Sequence, residues 1–534
     1  MEEQGSPVVE GSFPGGDRSA GPSLPPTGLA GTSTVAELLD SAPTSRFHMR
    51  AVFMSGMGFF TDAYDLFIIG TALVLIKGEW HLSSPEVSLV GSATLLAAFF
   101  GALVFGRIAD LLGRKRVYAI VAAVMIVGAL SSALATGIVW LVASRFVLGF
   151  GIGGDYPVSA VLMSEYSNRD DRGRLVGLVF SMQALGLVVG PVVGLTLVAS
   201  GMSHDIAWRI MLALGAVPAA AVVYMRTKMP ESPRFEAKVK GDEARAAAQL
   251  ALFSDGVIEE GSAAGPPRRP ADVVPYGLRQ FLSDRRMLLT LLGTAGTWFL
   301  LDYAYYGNTI STPLIMKDVA PHASLAAGLA WTLAIFVVFA VPGYVLAFSF
   351  MDRIGHRRLQ VLGFAAMAVA FGVLALVPGI TTTVVPFLIV YGISYLFTEF
   401  GPNTTTFVLP SEVYPVSVRT TGHGISAGVG KLGAFAGVFL FPVIQAAFGL
   451  RGSLAVAALA AVLGLCLTFV LPEPAGRSLE EVSGEDAYYA KAASGPGEAD
   501  DVNVPRDGEG PLLEPGSGES LPVPAALTRV SRSA

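Results

Sequence analysis

Cysteine is nearly missing from this chain: Cys466 stands alone among 534 residues. An intrachain disulfide is excluded, and a thiolate-held metal cluster is not expected. Charge is scarce as well. Asp, Glu, Lys and Arg make up 15% of the residues, where an average soluble domain has about 25%, while 52% are hydrophobic and mean hydropathy is +0.58. The chain therefore reads as an integral membrane protein in a lipid bilayer. Its formal net charge of −6 says little, because in such a protein the placement of charge among loops is what counts. The sequence pattern has no nucleophile–base pair, no metal-ligand cluster and no Walker-type glycine loop, which argues against an enzyme, an ATP-driven pump or a resident cofactor. Nothing in it points to nucleic acid or to an obligate protein partner.

Apolar length and glycine are what the chain has in plenty. Its 61 glycines suit helices that approach closely without water to drive them together. Apolar runs fall near 49–77, 85–109, 117–136, 138–166, 174–200 and 206–227, then near 286–311, 325–350, 358–379, 382–409, 420–447 and 451–472. Each can cross a bilayer, which takes about 20 residues. The expected architecture is an all-α membrane protein with twelve transmembrane helices in two pseudo-symmetric six-helix bundles. The bundles occupy 48–228 and 286–473, with a cytoplasmic central loop at 229–285. Residues 1–47 lack a basic segment followed by an apolar core, so they read as a disordered leader and not a signal peptide. Residues 474–534 read as a disordered tail.

Basic residues set the orientation. Arg107, Arg114, Lys115 and Arg116 follow the second run, Arg169, Arg172 and Arg174 the fourth, and Arg353, Arg357 and Arg358 the eighth. The intervening turns offer Lys77, Lys317 and Arg451. The positive-inside rule puts both termini in the cytoplasm, as expected for a plasma or inner membrane protein. In the central loop, Arg268, Arg269, Arg279, Arg285 and Arg286 mark a charge-rich tether, with contact to anionic lipid as the alternative.

The halves also repeat each other. Asp110-Leu-Leu-Gly113-Arg-Lys-Arg116 returns as Asp352-Arg-Ile-Gly355-His-Arg-Arg358. Glu165 precedes Arg172 as Glu412 precedes Arg419, and Pro230-Glu231 returns as Pro472-Glu473. A duplicated bundle implies a site between the halves, near mid-membrane.

Several polar residues sit inside the apolar runs. Trp298, Asp302 and Tyr306 are spaced four apart, hence on one helical face. A carboxylate at such depth costs roughly 2.5–3.5 kcal/mol on insertion scales and marks an ion or substrate path, unless it only bonds a neighbouring helix. Lys431 is a lone cation about a dozen residues into its run, too deep to reach the interface by snorkelling. Asp62 and Asp65, three apart, repel each other and so suit proton uptake, unless one of them is a structural partner. Asp155 lies between Gly153-Gly154 and Tyr156-Pro157, where glycines permit close approach and Pro157 loosens the helix; the alternative is a polar cap on a broken helix.

The motifs carry a resemblance. GRIADLLGRKR, RFVLGFGIGG and PESPRF are similar to the major facilitator superfamily. GMGFFTDAYDLF, GGDYPVSAVLMSEY, SMQALG, TWFLLDYAYYGN, GPNTTTFVLPSEVYP and HGISAGVGKLGAF closely resemble its phosphate:proton symporter family of plants, fungi and bacteria. The match spans residues 48–474, in both halves.

The resemblance implies a secondary transporter that imports inorganic phosphate with protons by alternating access. It implies a phosphate site formed by Tyr156, Gln183, Trp298, Asp302, Tyr306, Asn403 and Lys431. Composition alone leaves Gln183 and Asn403 open as interhelical glue. The chemistry fits: a tetrahedral oxyanion needs several donors and a cation, and Asp302 can accept its P–OH hydrogen, which sulfate lacks. Asp62, Asp65 and Asp155 are the expected proton-coupling groups. Glu399, where the resembled family carries a neutral residue, shares the face of Asn403 and joins them, with a gate carboxylate as its alternative. Asp110, Arg114, Arg145, Glu165, Arg172, Asp352, Arg357, Glu412 and Arg419 are expected to gate the conformational cycle. The rival readings are a symporter for another small organic anion and a phosphate-binding nutrient sensor.

Overall fold

The computed structural model describes residues 34–254 and 276–488. Ten helices of spanning length run in order: α1 (Arg46–Trp80), α2 (Ser84–Leu112), α3 (Arg114–Ala133), α4 (Ile138–Tyr166), α5 (Arg172–Ala199), α6 (His204–Lys228), α7 (Arg285–Ile310), α8 (Ala327–Ile354), α9 (His356–Leu376) and α10 (Val384–Ser411). An eleventh, Arg419–Thr468, has 50 residues. At 1.5 Å per residue that is about 75 Å, more than twice a hydrocarbon core. It breaks at Gly449, whose φ of 70° and ψ of 178° suit only glycine. The break yields α11 (419–448) and α12 (450–468). The described residues thus form the expected twelve-helix, all-α membrane fold, except that its last two runs share one helix broken by a single glycine.

The repeated motifs are one device used twice. Gly113 (φ 96°) ends α2, and Gly355 (φ 97°) ends α8. A side chain on Gly113 would put Cβ 2.2 Å from Glu231 Oε2, and one on Gly355 would put it 2.6 Å from Glu473 Oε2. The missing side chains leave room for a carboxylate that caps the next helix. Glu231 accepts from the backbone N–H of Arg114 at 3.0 Å, and Glu473 from those of His356 and Arg357 at 2.8 and 3.1 Å. The caps satisfy orphan donors and place negative charge at positive helix ends.

Close helix contacts aim the polar stripes inward. At Gly433 a Cβ would fall 2.2 Å from the Phe299 carbonyl oxygen, which brings α11 onto α7. At Gly424 it would fall 2.4 Å from the Ala102 carbonyl oxygen, which brings α11 onto α2 of the other half. Three of the spanning helices are irregular. α8 contains a π turn at Phe336–Ala340, and α10 one at Glu399–Asn403, where Gly401 leaves helical geometry beside Pro402. α5 is interrupted at Met182, just before Gln183.

The leader and tail, expected to be disordered, and the central loop, expected to be a tether, are partly helical. In the leader, Val35–Ser41 forms a capped helix whose Val35 and Leu39 are buried. In the central loop, Pro233–Lys238, Glu243–Phe253 and Leu278–Ser283 are helical. In the tail, Leu479–Ser483 is helical, and Glu480 and Glu485 are buried. One buried guanidinium explains much of this: Arg234 pairs with Asp40 and with Glu480, both at 2.6 Å, drawing leader and tail to one face. Residues 1–33, 255–275 (with Arg268 and Arg269) and 489–534 lie outside the described residues.

Candidate functional site

The four-residue stripe on α7 points into the core. Trp298, Asp302 and Tyr306 are all buried, and Lys431 of α11 faces them at 1% exposure. Lys431 Nζ lies 3.4 Å from Asp302 Oδ2 and donates to Tyr306 Oη at 2.9 Å. It also sits 4.4 Å from the ring centroids of Tyr306 and Tyr156. Tyr156 belongs to α4, so the cation of the second half rests against an aromatic face of the first. Trp298 lies beside the same ring, with centroids 5.9 Å apart.

From Tyr156 a hydrogen-bonded chain crosses the molecule. Its hydroxyl donates to Asp62 of α1. Gln183 of α5 donates to the Tyr156 hydroxyl at 3.0 Å and accepts from Tyr344 of α8 at 3.0 Å. Asn403 of α10 donates to Tyr344 at 3.1 Å and to Glu399. Among the described residues, Asp62 Oδ1, Asp302 Oδ1 and Glu399 Oε1 accept no hydrogen bond, and the first two belong to carboxylates that act on Lys431. Aromatic side chains bound the site at both ends. Phe67 meets Phe336 at 5.6 Å on one side; Phe407 meets Phe180 at 4.6 Å and Phe59 at 4.9 Å on the other.

Three expected residues do not join this cluster. Asp65 faces Arg145 of α4, with 3.8 Å between charged atoms, inside the first bundle. Arg145 also donates to the Asp65 backbone carbonyl at 3.3 Å, so its contacts lie within the first bundle. Asp155 is held by Arg226 of α6 through contacts of 2.7 and 3.3 Å, and Arg226 lies 4.0 Å above the Tyr118 ring. Each of these two carboxylates faces a buried arginine of its own bundle, Asp155 through hydrogen bonds and Asp65 through charge without one.

Two latches join the bundles on the face that carries leader and tail. In the first, Asp110 pairs with Arg114 at 3.1 Å and accepts from Thr420 and Thr421 N–H, capping α11 of the other half. Arg114 also reaches Glu165 at 3.2 Å and the Val416 carbonyl at 2.6 Å, and Glu165 binds Arg419 at 3.2 Å. In the second, Arg172 pairs with Glu412 at 2.8 Å, and Arg174 N–H donates to Asp352 at 2.7 Å. His356 bridges Glu412 and Asp352. Burial alone would raise the Glu412 carboxyl, but His356 and Arg172 outweigh it and hold the group below its usual range. Burial would likewise raise Glu480, yet Arg234 and Lys238 keep it lowered.

Arg357 is the correction here. Its guanidinium donates to the Leu471 carbonyl at 3.0 Å, and the partner of Asp352 is His356, one position earlier. The repeat itself contained that signal, since Gly113-Arg114 aligns with Gly355-His356. Tyr344 and Arg226 had no such signal: their partners lie on helices distant in sequence.

Comparison with known proteins agrees with this architecture. A family profile described as "Sugar (and other) transporter" matches residues 51–485. Probable inorganic phosphate transporter 1-6 of Arabidopsis thaliana is 37% identical, over 85% of this chain and 96% of its own. Inorganic phosphate transporter 1-6 of Oryza sativa subsp. japonica is 38% identical, over 84% and 95%. Among solved structures, the major facilitator proton:xylose symporter XylE of E. coli, bound to 6-bromo-6-deoxy-D-glucose, aligns with a TM-score of 0.72 at 19% identity, over 83% of this chain and 100% of that one. The chain belongs to the sugar-and-other transporter family of the major facilitator superfamily, in its inorganic phosphate transporter branch.

Proposed function

We propose that this protein imports inorganic phosphate together with protons, the two bundles (approximately 48–228 and 286–473) rocking about the central site. The observation that carries the reading is the meeting of Lys431 and Asp302, from the second half, with Tyr156, Gln183 and Asp62, from the first, in the buried core. The relatives named as phosphate transporters support the choice of anion. No covalent step is needed, so no enzymatic role is proposed. The basic turns favour a plasma or inner membrane location with the latch face in the cytoplasm.

The charge balance supplies a reason for coupling. At the centre, Lys431 faces two carboxylates, Asp302 and Asp62, and Glu399 lies on the far side of Asp302. An arriving phosphate adds negative charge to a site already rich in it, in surroundings of low dielectric. Protons on Asp62 and Glu399 remove that excess, so anion and proton enter together more easily than either alone. Lys431 supplies the cation, and Tyr156, Tyr306, Gln183, Asn403 and Trp298 supply neutral donors. Asp302 accepts the P–OH hydrogen; an anion without that hydrogen would leave the acceptor unpaired, which disfavours sulfate. Asp65 and Asp155, each neutralised by an arginine, act as structural groups in this scheme.

The test is uptake of labelled phosphate into proteoliposomes with an imposed pH gradient. An inside-alkaline gradient should drive accumulation, and sulfate and organic acids should compete poorly. Displacement by an organic acid would reassign the substrate. Uptake indifferent to the gradient would make the protein a uniporter, and binding without flux would make it a sensor.

A further inference from the structure

The second latch contains a cation that can lose its charge. His356 Nδ1 lies 2.8 Å from Glu412 Oε2, and its Nε2 lies 3.1 Å from Asp352 Oδ1. A neutral imidazole has one N–H and one lone pair, so one ring nitrogen would present its lone pair to an anionic oxygen. The imidazolium donates at both nitrogens and satisfies both carboxylates. The first latch places Arg114 at the equivalent point, between Asp110 and Glu165, where the charge is permanent.

Every element packed on His356 bears on its charge. α8 contributes Asp352, and the segment after α10 contributes Glu412. α5 contributes Arg172, on the other oxygen of Glu412, and the N–H of Arg174 on Asp352. Gly173 of α5 lies so close that a Cβ there would be 2.3 Å from His356 Nε2. Glu473 binds the backbone N–H of His356. His356 is 1% exposed and Glu412 is fully buried. Arg172 matches the fully buried Glu412, and the proton on His356 supplies the second positive charge, between Glu412 and the partly exposed Asp352.

We propose that His356 is a proton-binding site of this protein, separate from the central carboxylates, filled while the latch between α5 and α8 is closed and emptied after it opens. The proposal rests on the alternating-access reading above. Opening carries Arg172, Gly173 and Arg174 away with the first bundle and lets water reach His356 and Glu412. Once hydrated, the imidazole exchanges its proton in the neutral range where histidine ordinarily titrates. Closing takes a proton up, so acid on the latch face favours the closed form and alkali the open form. A carrier that brings protons in would thus be held shut by the acidification it causes.

The test reads the latch directly, without substrate. Exposed Arg116 of α3 and Arg358 of α9 are replaced in the full chain (Arg116→Cys, Arg358→Cys, with Cys466→Ser) and spin-labelled. Pulsed electron resonance in nanodiscs then gives the distance between bundles from pH 6 to 8.5. The open-to-closed ratio should rise with pH by up to about tenfold per unit, the limit for one linked proton. In His356→Arg the short distance should persist across the range, and in His356→Gln the pH response should vanish. A parent protein without a pH response, or either variant that keeps it, overturns the proposal. Phosphate is absent throughout, so a failure here is distinct from a failure of phosphate uptake.

Discussion

The two halves build the same latch and the same helix cap, yet they distribute their charges differently. In the first half, Asp65 and Asp155 are locked to Arg145 and Arg226, and the latch cation is an arginine. In the second half, Asp302 meets a lysine that also touches aromatic rings of both halves, Glu399 has no cation against it, and the latch cation is a histidine. Duplication supplies a common scaffold, and differences at single positions then assign permanent charge to one half and exchangeable charge to the other. Asp62 is the exception in the first half: it lies on the side of α1 that reaches the centre and bonds Tyr156.

The comparison breaks most visibly at the centre. Lys431→Ala leaves Asp302 and Asp62 without their cation; truncating one member of a buried charge pair costs about 2–5 kcal/mol. Phosphate uptake in proteoliposomes should fall at least to background, and retained uptake would remove Lys431 from the site. Next comes the contrast between two first-half aspartates. Asp155→Ala strands Arg226 in the bundle and should cost roughly 3–5 kcal/mol of stability, read as a lower Tm in detergent. Asp62→Asn should keep its Tm and lose stimulation by the pH gradient. Exchanged outcomes would mean that the two roles have been assigned the wrong way round.

Smaller effects sharpen the contrast between latches. Arg114→His should give the first latch a pH response in the distance measurement, and a flat profile would show that geometry alone does not make such a latch titratable. Glu412 is held below its ordinary value of 4.5. A lowered carboxylate contributes stability that is complete above that value and lost as pH falls through the lowered one. Glu412→Gln should therefore flatten the acid end of the stability profile. Smallest are the caps: Glu231→Ala and Glu473→Ala should each lower stability by about 1 kcal/mol, and by similar amounts if the two caps are equivalent.

Much of this was legible in the linear chain, because hydropathy and helical spacing are local properties. Twelve apolar runs, their duplication and the stripe of Trp298, Asp302 and Tyr306 needed no coordinates. Lys431 was marked by its depth in an apolar run. The register of the second latch was also present in the repeat, but Arg357 drew attention as the bulkier charge one position past His356. The buried roles of Val35, Leu39, Arg234 and Glu480 were hidden because composition near the chain ends suggested disorder, while a single guanidinium gathers leader, loop and tail.

Sequence by itself determined that the chain crosses the membrane twelve times in two related halves, since burying about 20 apolar residues in lipid depends on composition and length alone. Only tertiary structure decided which carboxylate meets which cation. Asp62 and Asp65 are three residues apart and about 60° apart around their helix. That rotation sends one to Tyr156 and the other to Arg145. The partners lie on α4, distant along the chain, and a charge buried from water is defined by what packs against it.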